Sequence, residues 1–378
     1  MINRRRLIRL TRKLIRINSE NPPGDESQLA DFTKNYLREL GLRVKIHAFK
    51  EKRSNLLAYW DSPGAKHTLL LTPHLDTVPA GKGWRRGPFS AGISNGRIYG
   101  LGATDCKGNL ACAMEAITSL IEERKRLDYN LILAATADEE CGSGLGLIPL
   151  LDKKILRPDA ALVLDADDFE IVVAQKGLIH LKVKLEGRRA HGAYPHLGAN
   201  AIDLAAEVLR ELKGRRFAYR RNKYLRPPTV NVGTIKGGDK VNVVADWCEF
   251  ELDFRFLPGT DAGRVLGALK GILKKRAKKY AVEIQSIQRP YLISESHALV
   301  TGLKKAMRSC GVRPRLSGSE GATVISFFQD KGIPAIASGF GSSGCAHTRD
   351  EYIKIANLYR GARVLEGFLL DYHWKQFP

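Results

Sequence analysis

Residues 68–79 read TLLLTPHLDTVP. A short apolar run flanked by threonines and closed by a proline predicts a buried strand over 68–72, followed by a turn that carries His74 and Asp76. The same grammar repeats downstream. Leu110, Ala113, Met114, Ile117, Leu120 and Ile121 fall at helical spacing, Leu131 to Thr136 form a second apolar run, and Ala160 to Leu164 a third. Alternation of buried strands with helices predicts a mostly parallel sheet covered by helices on both faces. Ligands of such sheets gather at the carboxyl ends of the strands, and here acidic residues and histidines follow one run after another.

The period changes after residue 177. Ile179, Leu181, Val183 and Leu185 alternate with His180, Lys182, Lys184 and Glu186, the signature of a strand with one wet face. A helix follows on Ile202, Ala205, Ala206, Leu209 and Leu212, then strands at 230–235 and 248–256, a helix on Val265, Leu266, Leu269, Ile272 and Leu273, and a strand with Val282 and Ile284. The order βαββαβ is the ferredoxin-like arrangement. The pattern predicts an α/β domain from residues 1–176 and 289–378, with an α+β domain inserted at 177–288. The amphipathic stretch from Arg4 to Ile17 reads as the first helix of the fold rather than a targeting segment.

Composition narrows the classes. With 378 residues and 44% hydrophobic content the chain can bury two cores. Its apolar runs are far shorter than the roughly 20 residues that cross a bilayer, so no membrane association is expected. The six cysteines lack paired short spacing, which fits a reducing cytoplasm. Lys and Arg number 61 against 40 Asp and Glu, a net charge of +21. The positive groups are scattered (Arg4–Arg6, Arg188–Arg189, Lys274–Lys279) and match no nucleic-acid module, so nucleic acid is not an expected partner. The excess favours anionic substrates by steering.

The chemistry-bearing residues each admit an ordinary reading. His74 and Asp76 can be a core hydrogen-bonded pair. Asp105, which closes the glycine-rich string GRIYGLGATDCKG at 96–108, can cap the helix that follows it. Glu139 and Glu140 in TADEECGSG can lie in a solvated loop, although burying two adjacent carboxylates without cations is costly. Asp165 in ALVLDADD competes with Asp167 and Asp168, and His347 sits in GCAHTRDEYI between an apolar run and a helix. Arg255, on the wet face of its strand, can grip a carboxylate or pair with Glu251 or Asp253 beside it.

Taken together, the strings HLDTVP, GLGATDCKG, DEECGSG, GRRAHGAYPHLGANAI, VNVVAD, DFR and AHTRDEY, with the opening IRINSENPPG, resemble those of the co-catalytic zinc exopeptidase and deacylase family. That family includes acetylornithine deacetylase, succinyl-diaminopimelate desuccinylase, aminoacylase and glutamate carboxypeptidase. The resemblance spans nearly the whole chain and implies the zinc-exopeptidase-like fold with an inserted domain. It implies one metal on His74 and Asp165, a second on Glu140 and His347, and Asp105 bridging the two. Glu139 is then the general base, Asp76 orients His74, and His191 reaches the scissile carbonyl oxygen, often across a dimer. Asn242 and Arg255 match substrate-binding positions. The implied cofactors are two divalent ions, zinc first and cobalt or manganese as alternatives. The implied substrate is a small carboxylate-bearing N-acyl amino acid or peptide, and the implied assembly a homodimer through the inserted domain. Asp165 stands where many members carry Glu, and Cys106 where Met is frequent.

Three readings compete at this level. The first is the metal-dependent amidohydrolase, which includes metallo-carboxypeptidase or dipeptidase activity on the same site. The second is a thiol hydrolase using Cys106 or Cys141 with His74 or His347. The third is a catalytically silent binding protein on the same scaffold.

Overall fold

The computed structural model describes residues 1–321 and 323–374. It divides into two compact units, one of residues 1–173, 293–317 and 327 onward, the other of 174–292 and 318–326. The inserted unit therefore begins three residues earlier and ends four residues later than the periodicity indicates, and it also takes in 318–326. A hydrogen-bonding requirement draws that extra segment in. The Lys176 ammonium, almost without solvent contact, pairs with the Glu320 carboxylate at 2.5 Å and donates to Pro227 O at 2.7 Å. The Lys176 main-chain N–H donates to Ser319 O at 3.0 Å.

In the first unit the four central strands, Asn130–Ala135, Thr68–Thr72, Ala160–Val163 and Ala335–Ser338, run parallel in that spatial order. Antiparallel strands flank them: Ser54–Trp60 and Arg43–Ala48 on one side, Glu170–Gln175 on the other. Leu69, Leu70 and Leu71 are wholly buried, as parallel strands covered on both faces must be.

The helix Lys107–Glu122 is buried along almost its whole length, not on one face as its spacing of large residues indicates. Gly108, Ala111, Ala116 and Ser119 fill the other faces, and these small side chains let the helices Arg4–Arg16 and Ile355–Asp371 pack against it. Its one buried carboxylate, Glu115, is paired with Arg6 at 2.7 Å, which meets the requirement that a buried charge have a partner.

The second unit is an all-antiparallel sheet ordered Thr229–Gly237, Trp247–Phe256, Gly177–Glu186, Lys279–Gln288. With the helices Ala201–Gly214 and Ala262–Arg276 it completes the ferredoxin-like order. Ile179, Leu181, Val183 and Leu185 interdigitate with Cys248, Phe250, Leu252, Phe254 and Phe256 beneath those helices. The opposite face carries the polar partners, including Lys182 at 3.3 Å from Glu251. No helix among the described residues is long and apolar enough to cross a membrane.

Leu162 has no solvent exposure and lies on a strand paired with parallel neighbours on both sides. Leu162→Ala is expected to lower stability by about 2–5 kcal/mol through lost burial and the cavity left behind, read as a lower urea midpoint at unchanged slope.

Candidate metal centre

The chain leaves the parallel strands along closely tied paths. Leu75 N–H donates to Thr136 O at 2.7 Å, Thr136 N–H to Pro73 O at 3.1 Å, and Leu164 N–H to Thr72 O at 3.0 Å. These bonds carry the ladder past the strand ends, so that His74, Glu139 and Asp165 emerge beside one another. At Gly339 a Cβ atom would stand 1.8 Å from Ala166 O, so only glycine lets the loop toward His347 pass so close to the Asp165 loop. A small sheet of Gly92–Ser94, Arg97–Tyr99 and Tyr352–Lys354 brings in the last two loops. Across it Gly100 N–H donates to Glu351 O at 2.8 Å, tying the stretch before Asp105 to the stretch after His347.

Asp105 lies at the middle of the cluster. Its Oδ1 is 2.8 Å from His74 Nε2 and its Oδ2 is 3.1 Å from His347 Nε2, which also stands 3.1 Å from Glu140 Oε2. Potential ligand atoms of His74, Glu139 and Asp165 lie within 4.8 Å of one another, as do those of Asp105, Glu140 and His347. Imidazole nitrogens and carboxylate oxygens arranged as two adjoining groups, with one carboxylate turning an oxygen to each histidine, fit a pair of divalent cations. Asp167 joins no such group among the described residues; its side chain lies instead against Gly341, where a Cβ would meet Asp167 Oδ1 at 2.3 Å.

The electrostatics follow from crowding. Burial, with Asp105 and Glu139 as negative neighbours, holds the Asp165 carboxyl well above the usual range. Burial likewise raises Glu139 to about 7, with Glu140 and Asp105 adding to the effect and His74 opposing it. For Asp105 burial also works against ionisation, but the imidazoles of His347 and His74 outweigh it and hold the carboxyl low. Hydrogen bonds to Asp105 and Glu140 raise His347 to about 10.

Residues 70–371 match the sequence model of peptidase family M20/M25/M40. The chain belongs to that family. Acetylornithine deacetylase of Yersinia pseudotuberculosis is 30% identical over 367 residues, covering 92% of this chain and 91% of its own. That of Proteus mirabilis is 30% identical over 387 residues, covering 96% of each. Among solved structures, an aminopeptidase of Bacillus cereus superposes with a TM-score of 0.82 at 23% identity over 98% of both chains. A dinuclear metal-binding peptidase of family M20 from Bacillus subtilis gives 0.74 at 14% identity over 97% of both. Membership makes the chain a metal-dependent amide hydrolase.

Around this M20 centre the structure shows supports that the sequence does not spell out. His74 Nδ1 is 2.9 Å from the main-chain oxygen of Asp76, while the Asp76 carboxylate stands farther off, at 3.6 Å. That carboxylate instead accepts from the main-chain N–H groups of Glu139 and Glu140, each at 3.1 Å. Asp76 thus steadies the histidine chiefly through its backbone and the glutamates through its side chain. The buried Glu351 carboxylate accepts from Gly102, Thr104 and Asp105 N–H at 2.9, 2.7 and 3.0 Å, which fixes the loop that presents Asp105. Its place in AHTRDEY, between Asp350 and Tyr352, was the only available signal. Cys106 is buried with its sulfur on the His74 backbone, accepting from N–H at 3.1 Å.

Within the inserted unit, His191 and Asn242 lie together: Gly192 N–H donates to Asn242 O at 2.8 Å, and His191 is bridged to Val243. The His191 Nδ1 accepts from Ala193 N–H at 3.0 Å, which selects the tautomer with a proton on the exposed Nε2. Arg255 sits toward the other end of the strand Trp247–Phe256, roughly 25 Å along it at the usual strand rise. It is engaged by Asp253 through two bonds of 2.7 and 2.9 Å, the pairing open to it from the sequence.

Two outcomes are expected. His347 is protonated at neutral pH in the metal-free protein and must lose its proton to act as a ligand, so metal binding releases a proton and tightens as pH rises from 6 toward 10. Competition titrations with a chromophoric chelator at pH 6, 7 and 8 measure this; an affinity that is flat or falls with pH contradicts it. Glu351→Gln sets an amide NH2 or a single oxygen against three N–H donors, and is expected to weaken metal retention about 10–100-fold, the usual cost of losing an outer support, in the same titration.

Proposed function

We propose that the chain is a two-zinc hydrolase that removes the acyl group from small N-acyl amino acids bearing a free carboxylate, of the acetylornithine deacetylase or succinyl-diaminopimelate desuccinylase type. The observation that carries this reading is Glu139, a carboxylate within reach of His74 and Asp165 whose backbone, not its side chain, is tied down by Asp76. Histidine and carboxylate donors in this number suit zinc. Similarity to acetylornithine deacetylases over nine-tenths of the chain supports the substrate class.

Two divalent ions would be held by His74, Asp165, Asp105, Glu140 and His347 and, when bound, would polarise a carbonyl and acidify water. Glu139 supplies what they do not, a mobile proton carrier. It takes a proton from the attacking water and delivers it to the leaving nitrogen, so the amine departs neutral. His191, with Nε2 free to donate, is the group that stabilises the developing oxyanion. Asn242 beside it binds the substrate, and Arg255 orients the carboxylate.

His191 and Asn242 lie beyond one end of the strand Trp247–Phe256 and Arg255 near its other end, a separation that supports a homodimer in which the first pair serves the partner subunit's centre. The exposed edge strand Thr229–Gly237 offers a surface for that assembly. Six free cysteines accord with a cytoplasmic location. The burial of Cys106 and its engagement by the His74 backbone favour the metal mechanism over a thiol nucleophile.

Glu139→Gln is expected to lower kcat by a factor of about 10²–10⁴, the usual worth of a general base, while elemental analysis still finds the wild-type metal content. Chelation is expected to abolish hydrolysis of acetyl- and succinyl-amino acids, and zinc or cobalt to restore it. Turnover of none of these compounds, with dipeptides cleaved instead, assigns the site to exopeptidase chemistry.

A further inference from the structure

We infer that Arg53, with the loop Asn21–Glu26, is a positioning residue for the catalytic glutamate, acting through Asp138. This rests on the proposed role of Glu139 and extends it to residues well outside the metal centre.

The brace is a buried chain of charges. Arg53 is 6% exposed, Glu26 wholly buried and Asp138 5% exposed. The Arg53 guanidinium grips both oxygens of Glu26, at 2.9 Å from Nε to Oε2 and 2.9 Å from Nη2 to Oε1, and reaches Asp138 Oδ1 at 2.8 Å from Nη2. Asn21 Nδ2 donates to Asp76 Oδ2 at 2.9 Å and to Asp138 Oδ1 at 3.3 Å. Asp76 in turn accepts the N–H groups of Glu139 and Glu140. The chain therefore runs from Glu26 through Arg53 to Asp138, and through Asn21 to Asp76, ending on both sides of the catalytic peptide.

Asp138 is the residue through which the brace acts. It immediately precedes Glu139 and holds a left-handed conformation at φ 65°, a region uncommon for residues other than glycine, and its contacts hold it there. Those surroundings are Arg53 and Asn21 on Oδ1, Leu145 N–H on Oδ2 at 2.9 Å, and Ser143 N–H on its main-chain oxygen at 2.5 Å. If Asp138 relaxes toward ordinary angles, the Glu139 carboxylate swings with it.

The same contacts account for Asn21, Gly24 and Glu26 in the string NPPGDE, which the metal centre leaves without a role. Asn21 bonds both acids, Glu26 anchors the guanidinium, and at Gly24 (φ 82°) a Cβ would stand 2.4 Å from Arg53 Cζ, so only glycine lets the loop lie against it. A guanidinium fits because its planar fork spans two carboxylates at once, which a lysine ammonium does with poorer geometry.

The test is a double-mutant cycle on the metal-loaded full chain with an N-acetyl amino acid as substrate. Arg53→Met is expected to lower kcat about 10–30-fold with KM within about twofold and metal content unchanged, because it misplaces the proton carrier and no ligand. In the Glu139→Gln background the same change is expected to alter the residual rate less than about threefold, since the group it positions is already disabled. Equal fold losses in the two backgrounds, or loss of metal with Arg53→Met, overturn the proposal and leave Arg53 a structural residue. A Glu139→Gln variant as fast as wild type refutes the base assignment itself, a distinct result from failure of the brace alone. If Arg53→Met does not fold, Arg53→Lys keeps the buried charge and carries the same cycle, with an expected loss of about 3–10-fold and the same lack of additivity.

Discussion

Four carboxylates, those of Asp105, Glu139, Glu140 and Asp165, are brought within a few ångströms of two imidazoles. Water does not screen charges there as it does at a surface, and like charges so close raise one another's proton affinity. The histidines relieve part of this load: Asp105 stays ionised because His74 and His347 flank it. For Asp165 and Glu139 the nearby His74 is outweighed by burial and the surrounding carboxylates, and both are driven toward their neutral forms. Cations are the natural resolution, and the rest of the first unit can be understood as the framework that makes the crowding tolerable.

That framework is built mainly from backbone. The parallel ladder is prolonged beyond the strand ends by bonds among Thr72, Pro73, Leu75, Thr136 and Leu164, so the donors start from positions fixed to within hydrogen-bond tolerance. Two buried acids that are not in the donor groups then fix the loops. Glu351 holds the peptides around Asp105, and Asp76 holds those of Glu139 and Glu140. Each accepts several N–H groups, which orients a whole segment where a single side-chain contact orients one rotamer.

Much of this was legible in the sequence because it rests on periodicity. Buried strands at 68–72, 131–136 and 160–164 and the change to alternation after 177 marked both units, and the donors stood where parallel strands end. What escaped depends on contacts between distant loops, which leave no periodic trace. Lys176 pulls 318–326 into the inserted unit, and small residues bury all sides of the helix Lys107–Glu122. The double assignment of Asp76, backbone to histidine and side chain to glutamates, is invisible to any pattern of residue types. So is the difference between Asp350 and Glu351, adjacent acids of which the second is buried to hold a loop.

One asymmetry of the centre bears on how the protein should be handled. The His74 side chain is 2% exposed, whereas that of His347 is 53% exposed. Of the two histidines it is His347 that is open to solvent, while the carboxylates beside it, Asp105 and Glu140, are 17% and 7% exposed. A chelating buffer component such as citrate or imidazole would therefore reach an ion at His347 before one at His74.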